Sequence, residues 1–522
     1  MTKRNVFRIA VAVAFLAFVV YGQLRPKLAG DAAPARALLP PVPTNAKAFT
    51  LGKLQFKACE LTQKRSGATT AAYCAPFQVP EDPDAPGEGG RRIDLNLALI
   101  KAEAEAADSD FVVFLAGGPG QAAIENWPQV APALAPLRRH HHIVLLDQRG
   151  TGGSHTLTCE RAADDQAKPD DSAEAGANLD EVRRATRACL AQVERNADPR
   201  YYTTTAAVRD LEAVRQALGA PQFDLVGVSY GTRVAQQYLM RHPDGVRSVV
   251  LDSVVPNEVV LGEEFAENLE QALKAQFSLC TQVPVCAKAF PDPYASLIRL
   301  RNELRAKPQS YDFRDPVTFA PAHGRLDDYT LAGLVRLFAY TPETAALLPL
   351  SIAEGLKGNY TPLAGQSQLL TGDLSELRDN GMQTSVVCAE DADLLTSRPQ
   401  DAGTVLGTAL VDVIRTQCEI WPRGTRPADF HAPLKSGKPV LVLEGEFDPV
   451  TPPKYGDQVM RGLTNARLLV AKGQGHNVIG RGCIPKLVQD FVDRLAPKQL
   501  DTRCADVLGP TPAFIGFNGA AP

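Results

Sequence analysis

The stretch Phe223-Asp224-Leu225-Val226-Gly227-Val228-Ser229-Tyr230-Gly231-Thr232 decides the fold. An apolar, strand-like run from Phe223 to Val226 meets a Gly-x-Ser-x-Gly pentapeptide, and a helix-like run from Thr232 to Met240 follows. Strand, sharp turn and helix are the setting in which a serine nucleophile is held on a strained backbone. The two glycines remove the Cβ atoms that would clash as the strand folds back onto the helix. The Ser229 hydroxyl is then presented at the carboxyl edge of a sheet. Such a pentapeptide also arises in unrelated sequences, so the chemistry depends on what else the chain supplies.

A serine hydroxyl is a weak nucleophile and needs a base, which in turn needs an orienting acid. Both occur downstream in the chain order Ser, Asp, His. The buried-strand pattern Pro439 to Leu443 runs into Glu444-Gly445-Glu446-Phe447-Asp448-Pro449, which places Asp448 at a strand end before a proline-rich turn. Glu444 and Glu446 stand close by as alternative acids. A second short strand, Ala466 to Val470, leads into Lys472-Gly473-Gln474-Gly475-His476-Asn477. Of the eight histidines, only His476 sits in a glycine-flanked loop directly after a core strand near the carboxyl end. The cluster His140, His141 and His142 reads as a solvated turn, because adjacent residues point apart and no ligand follows at metal spacing.

Upstream, the strand-like Phe111 to Ala116 breaks into Gly117-Gly118-Pro119-Gly120. Such a loop frees backbone N–H groups to face a developing oxyanion. Pro119 has no N–H, so Gly118 is the expected donor, with Tyr230 as the second. The next strand, Ile143 to Leu146, precedes Asp147-Gln148-Arg149-Gly150-Thr151-Gly152-Gly153-Ser154. This glycine-rich loop lacks the Lys-Ser/Thr ending of a phosphate-binding loop and the spacing of a dinucleotide fingerprint.

Gly117–Gly120, Asp147–Ser154, Gly227–Thr232 and Asp448-Pro449-Val450-Thr451-Pro452-Pro453 together resemble the α/β-hydrolase peptidases of the proline iminopeptidase and tripeptidyl aminopeptidase group, the tripeptidyl branch being the closer match. The resemblance extends over roughly residues 55 to 505 and includes Tyr340-Thr341-Pro342, Cys388-Ala389-Glu390 and Cys418-Glu419-Ile420-Trp421-Pro422. It departs at Ala116, which stands where a histidine often precedes the two glycines. It implies an α/β fold with a mostly parallel central sheet, and a helical cap inserted into it. It also places an acidic residue at the position of Glu390. An exopeptidase must hold a cationic amino terminus, and Glu390, behind the apolar pair Val386-Val387, is the expected partner.

Residues 1–22 carry Lys3, Arg4 and Arg8 and then an apolar run from Ile9 to Tyr21. That run is shorter than the roughly twenty residues that span a bilayer. It reads as a secretory signal peptide or an uncleaved anchor, which puts the catalytic part outside the cytoplasm, periplasmic or secreted. The ten cysteines contain no C-x-x-C pair, so disulfides are expected rather than zinc or dithiol redox chemistry. Loop closure costs least between neighbours, which favours Cys59–Cys74, Cys159–Cys189, Cys280–Cys286, Cys388–Cys418 and Cys483–Cys504.

A net charge of −4 and the absence of a basic stripe with interleaved aromatics exclude nucleic acid as a partner. At 522 residues the chain exceeds one typical core. Residues 23–49 form an Ala/Pro-rich linker. Alternating strand and helix patterns over 50–255 give the first part of an α/β core. Helical periodicity then dominates from 256 to 434 with no strong strand, which reads as the cap. Residues 435–510 complete the core, and 511–522 form a tail. The expectation is a serine exopeptidase acting on peptides through Ser229, His476 and Asp448, with no metal or organic cofactor required. A carboxylesterase with the same triad and a non-catalytic hydrolase-fold binding protein are the alternatives.

Overall fold

The computed structural model describes residues 46–520 apart from 63–66, 86–89, 105–110, 160–177, 315–318 and 379–380. The apolar segment of 1–22 and nearly all of the linker lie outside the described residues. Ten strands form one sheet in the order β1-β2-β3-β4-β6-β5-β7-β8-β11-β12. They are β1 (Ala48–Leu51), β2 (Leu54–Thr62), β3 (Thr69–Pro80), β4 (Arg92–Ile100), β5 (Phe111–Leu115), β6 (His142–Leu146), β7 (Phe223–Val228), β8 (Val246–Asp252), β11 (Val440–Gly445) and β12 (Ala466–Ala471).

The sheet has two characters that follow from its sequences. β1 to β4 pair antiparallel and alternate buried with exposed residues, as in β2, because one face meets water. β6 still pairs antiparallel with β4, but beyond it every pairing in the sheet is parallel, and β5 and β6 are buried along their whole length and apolar apart from His142. Helices cover both faces of that part. On one side α1 (Ala123–Arg138) packs through Trp127, Leu134 and Leu137 into the same cluster as Ile484, Val488 and Phe491 of a helix near the carboxyl end, Ile484–Arg494. Each such side chain contributes roughly 1.5–3 kcal/mol when fully buried. α2 (Leu179–Val193) and α3 (Thr204–Leu218) precede β7. α3 starts where the Thr203 side chain accepts from the Ala206 amide, and it stops at Gly219, whose φ of 70° suits glycine. α4 (Tyr230–Arg241) follows β7 directly.

Between β8 and β11 the chain leaves the sheet and builds a second core from helices. α5 (Phe265–Gln282), α6 (Pro293–Ala306), α7 (Asp328–Phe338) and α8 (Leu348–Leu356) share a cluster that includes Leu273, Phe277, Leu300, Leu304, Val335 and Ile352. α9 (Thr361–Arg378) joins it through Leu363, while α10 (Gly381–Glu390) and α11 (Ala409–Cys418) pack on each other and against α2. This region is not purely helical. β9 (Gln309–Arg314) and β10 (Pro321–Leu326) form an antiparallel hairpin that the sequence pattern hides, because its residues are mostly polar and no β9 residue is fully buried.

The segment expected to be a linker also yields a strand, since β1 begins at Ala48 and its Phe49 ring lies 5.5 Å from Phe56 and 4.9 Å from Tyr73. Nor does the tail run free. Ala513, Phe514 and Ile515 pack on Cys280, Cys286, Phe290 and Leu350, and the Phe514 amide donates to the Ala346 carbonyl. The ten cysteines form the five bridges Cys59–Cys74, Cys159–Cys189, Cys280–Cys286, Cys388–Cys418 and Cys483–Cys504, and none is free.

Candidate active site

Ser229 stands at the end of β7 with φ 54° and ψ −124°, a conformation that few non-glycine residues adopt. The glycines around it leave no room for a side chain. A Cβ on Gly227 would meet the Gly231 carbonyl oxygen at 2.5 Å, and one on Gly231 would meet the Leu115 carbonyl oxygen at 2.1 Å. The turn is held by the Ser229 amide donating to the Asp252 carbonyl at 2.9 Å and by Thr232 Oγ1 donating to the Ser229 carbonyl at 2.5 Å.

The loop after β5 passes beside this serine, and a Cβ on Gly117 would come within 3.2 Å of Ser229 Cβ. Gly118 follows with φ 106° and is exposed. Tyr230 is the first residue of α4, whose leading amides lack intrahelical partners. Gly117 therefore borders Ser229 from the loop side, with Gly118 next along the loop, and Tyr230 follows the serine in the chain.

His476 Nδ1 lies 2.7 Å from Asp448 Oδ2, and both side chains are buried. Asp448 also accepts from the Val450 and Thr451 amides, each at 2.8 Å, and from Thr451 Oγ1 at 2.9 Å. Burial pushes its carboxyl up, but the neighbouring His476 and these donors outweigh burial and hold it below the usual carboxylate range. The two alternative acids have other duties. Glu444 is fully buried and accepts from the Val254 amide, and burial with the nearby Asp448 charge raises its carboxyl well above the usual range. Glu446 accepts from the Gly473 amide at 2.7 Å, which shapes the turn before His476.

The His476 loop is fastened from two sides. On the helical side, the Tyr340 carbonyl accepts from the His476 amide at 2.7 Å, and the Tyr340 ring lies 5.0 Å from the imidazole, edge to face. On the sheet side, Ser253 Oγ accepts from the Asn477 amide at 2.8 Å, and the Asp252 carboxylate accepts from the Val478 and Ile479 amides at 2.9 and 3.0 Å. Burial pushes Asp252 up to about 6 against the pull of those two amides and of His476. Tyr340 belongs to a motif noted in the sequence. Asp252 and Ser253 were missed, since a strand-end Asp-Ser pair is indistinguishable from an ordinary cap.

Glu390 does not stand where a substrate amine can reach it. It has no exposed surface, and its oxygens accept from the Thr204 amide at 2.6 Å and from Thr204 Oγ1 at 2.9 Å. Thr204 Oγ1 is 2.6 Å from the Tyr230 hydroxyl, which also accepts from Gln148 Nε2 at 3.2 Å. This corrects the expected amino-terminus clamp, because helix α10 carries Glu390 into the core and the carboxyl is spent on the start of α3. Burial, reinforced by Asp391, pushes it up to about 8. Asp391 pairs with Arg233 of α4 at 2.9 Å, with both side chains fully buried. The neighbouring pair Glu390 and Asp391 thus ties the end of α10 to the start of α3 through Thr204 and to the elbow helix through Arg233.

Two further sequence readings resolve differently. His141 and His142 are buried rather than solvated. His141 Nε2 lies 2.8 Å from Asp493 Oδ1, while His142 Nδ1 accepts from the Ala102 amide and burial pushes the ring down to about 4. The Asp147–Ser154 loop is structural. Asp147 accepts from the Ile124 and Gly153 amides, and buried Arg149 makes two 2.7 Å bonds to Asp210 and others to the Pro80, Glu81 and Tyr201 carbonyls.

A comparison with known families finds the alpha/beta hydrolase fold over residues 110–308 and the TAP-like protein family over residues 404–504. The chain has the α/β-hydrolase fold, and its carboxyl-terminal segment matches the TAP-like family. Relatives of this hydrolase include the serine protease Hip1 of Mycobacterium tuberculosis, 26% identical over 477 residues that cover 84% of this chain and 88% of the relative. A tripeptidyl aminopeptidase of Streptomyces coelicolor is 26% identical over 434 residues, 77% of each chain. A carboxylesterase B of M. tuberculosis is also 26% identical, over 83% of this chain and 86% of the relative.

Proposed function

We propose that this hydrolase is an extracytoplasmic serine exopeptidase that releases short amino-terminal units, tripeptides or single residues, from peptides. The observation that carries the reading is the 2.7 Å contact between His476 Nδ1 and Asp448 Oδ2 at the same sheet edge as a serine on a strained elbow. Asp448 fixes the imidazole tautomer so that Nε2 is free to accept a proton. Ser229 Oγ attacks the scissile carbonyl carbon as His476 takes its proton. The Gly118 and Tyr230 amides receive the oxyanion. Collapse breaks the C–N bond, His476 returns the proton to the departing amine, and water then hydrolyses the acyl-enzyme by the same route in reverse.

The peptidase relatives support the substrate class, and five disulfides support a location outside the cytoplasm. Among the described residues no helix is long and apolar enough to cross a membrane, so any anchoring falls to the amino-terminal segment. The carboxylesterase relative favours a second reading, ester hydrolysis by the same triad. Incubation with a mixed peptide pool followed by mass spectrometry decides between them. Loss of one or three residues from free amino termini is expected, and an untouched pool beside rapid cleavage of an aryl ester would establish the esterase instead.

A further inference from the structure

We propose that Asp252 is the positioning residue that sets the separation between Ser229 and His476, an inference that rests on the triad reading above. One residue holds both partners. Its carbonyl accepts from the Ser229 amide at 2.9 Å, which fixes the nucleophile turn to the end of β8. Its carboxylate accepts from the amides of Val478 and Ile479, two and three residues beyond His476. The nucleophile and the base therefore meet on opposite ends of a single side chain and its own backbone.

The loop that carries His476 has no secondary structure to hold it. All four amides from 476 to 479 are instead accepted individually: His476 by the Tyr340 carbonyl, Asn477 by Ser253 Oγ, and Val478 and Ile479 by Asp252. Asn477 turns the chain with φ 65°, which aims the following amides back at β8. Asp252 supplies two of the four acceptors and is fully buried, as is Val478. Without it two amides lose their partners in a site that water does not reach, and an unpaired buried donor is costly. The loop relieves that cost by moving, and it carries the imidazole with it. A displacement of about 1 Å lowers the rate of a positioned reaction up to a hundredfold.

The role is that of a positioning group. Asp252 reaches neither substrate nor the transferred proton in this arrangement, so its loss should reduce kcat and leave KM nearly unchanged. The test compares wild type with Asp252→Asn and Asp252→Ala, using the rate of Ser229 labelling by a fluorophosphonate and the kcat and KM on a neutral aryl ester. Asparagine is isosteric but places an NH2 group against one of the two amides, so the variant keeps its fold and loses one acceptor. If Asp252→Ala does not fold, as judged by circular dichroism, the comparison rests on Asp252→Asn. The expected result is a ten- to hundredfold fall in kcat, an equal fall in labelling rate, and a KM within about twofold of wild type. A folded Asp252→Asn that labels at the wild-type rate, or one whose defect lies in KM, overturns the proposal. Wild type that labels while Ser229→Ala does not keeps the serine-hydrolase reading intact in that event. Failure of wild type to label at all would sink both together.

Discussion

Two groups of buried acids in this molecule have opposite fates. At the sheet edge, Asp448 is buried beside His476, accepts four hydrogen bonds and stays below the usual carboxylate range. In α10, Glu390 is equally buried but faces neutral donors and a like-charged neighbour, so its carboxyl is pushed up to about 8. Burial alone opposes charge in both. The partners decide the outcome: a carboxylate kept ionised next to an imidazole can serve an imidazolium during catalysis, whereas one pushed toward neutrality serves as a fastening between two layers.

The sharpest way to break this contrast is to remove each group in turn. Ser229→Ala and His476→Ala should lower kcat by about 10⁴-fold or more with the fold retained, because each removes a member of a unit that acts together. Asp448→Asn should cost about 10³–10⁴-fold in kcat, since the amide favours the wrong tautomer. Glu444→Gln, which replaces a buried carboxyl that burial and the Asp448 charge already push toward its neutral form, should change kcat by less than about threefold. If those two results are exchanged, the assignment of the acid is wrong. Steady-state kinetics on an aryl ester reads both.

The next effect is on stability. Asp391→Ala strands the fully buried Arg233 guanidinium and should destabilise the protein by about 3–5 kcal/mol in chemical denaturation. A loss under about 1 kcal/mol would show that the joint between α10 and the elbow helix is not held by this pair.

Glu390→Gln should have the smallest effect on catalysis, equal on peptide and ester substrates and within about threefold. Its signature is in pH. A folded-state value of about 8, against an ordinary 4.5, means that the folded protein binds the proton more tightly. Stability from this group is therefore complete below about pH 4.5 and is lost as pH rises through about 8. Glu390→Gln should flatten that decline, so thermal melts of the two proteins should differ at pH 8 and converge at pH 5. A selective loss on peptides with free amino termini would instead restore Glu390 as the substrate clamp.

The same contrast explains what could be read from the chain. The strands of the parallel sheet were legible because burial on both faces demands largely apolar runs, which β5 supplies throughout, β6 after His142, and β7 around a single Asp224 that is paired with Arg247. The elbow was legible because its glycines answer a local steric need. Asp448 was legible for the same reason: its backbone partners, Val450 and Thr451, lie two and three residues away in a proline-rich turn. Glu390 was misread because its partner Thr204 is 186 residues distant, and Asp252 was passed over because the amides it holds lie 226 and 227 residues later. A local pattern carries no mark of so distant a partner. The β9–β10 hairpin was hidden by the weakness of its apolar alternation.

The position of the helical insertion between β8 and β11 also governs how the enzyme is made. β11 pairs with β8, yet roughly 190 residues separate the end of one from the start of the other, which at ribosomal speeds is a delay of about 10–40 s. For that interval the outer edge of β8 has no neighbour, and the growing chain holds Ser229 without the Asp448–His476 pair. Under the proposed triad, the site therefore cannot be assembled on a nascent chain until the insertion has been synthesised and the sheet has closed past it, so the linear order of the gene product delays its own activity.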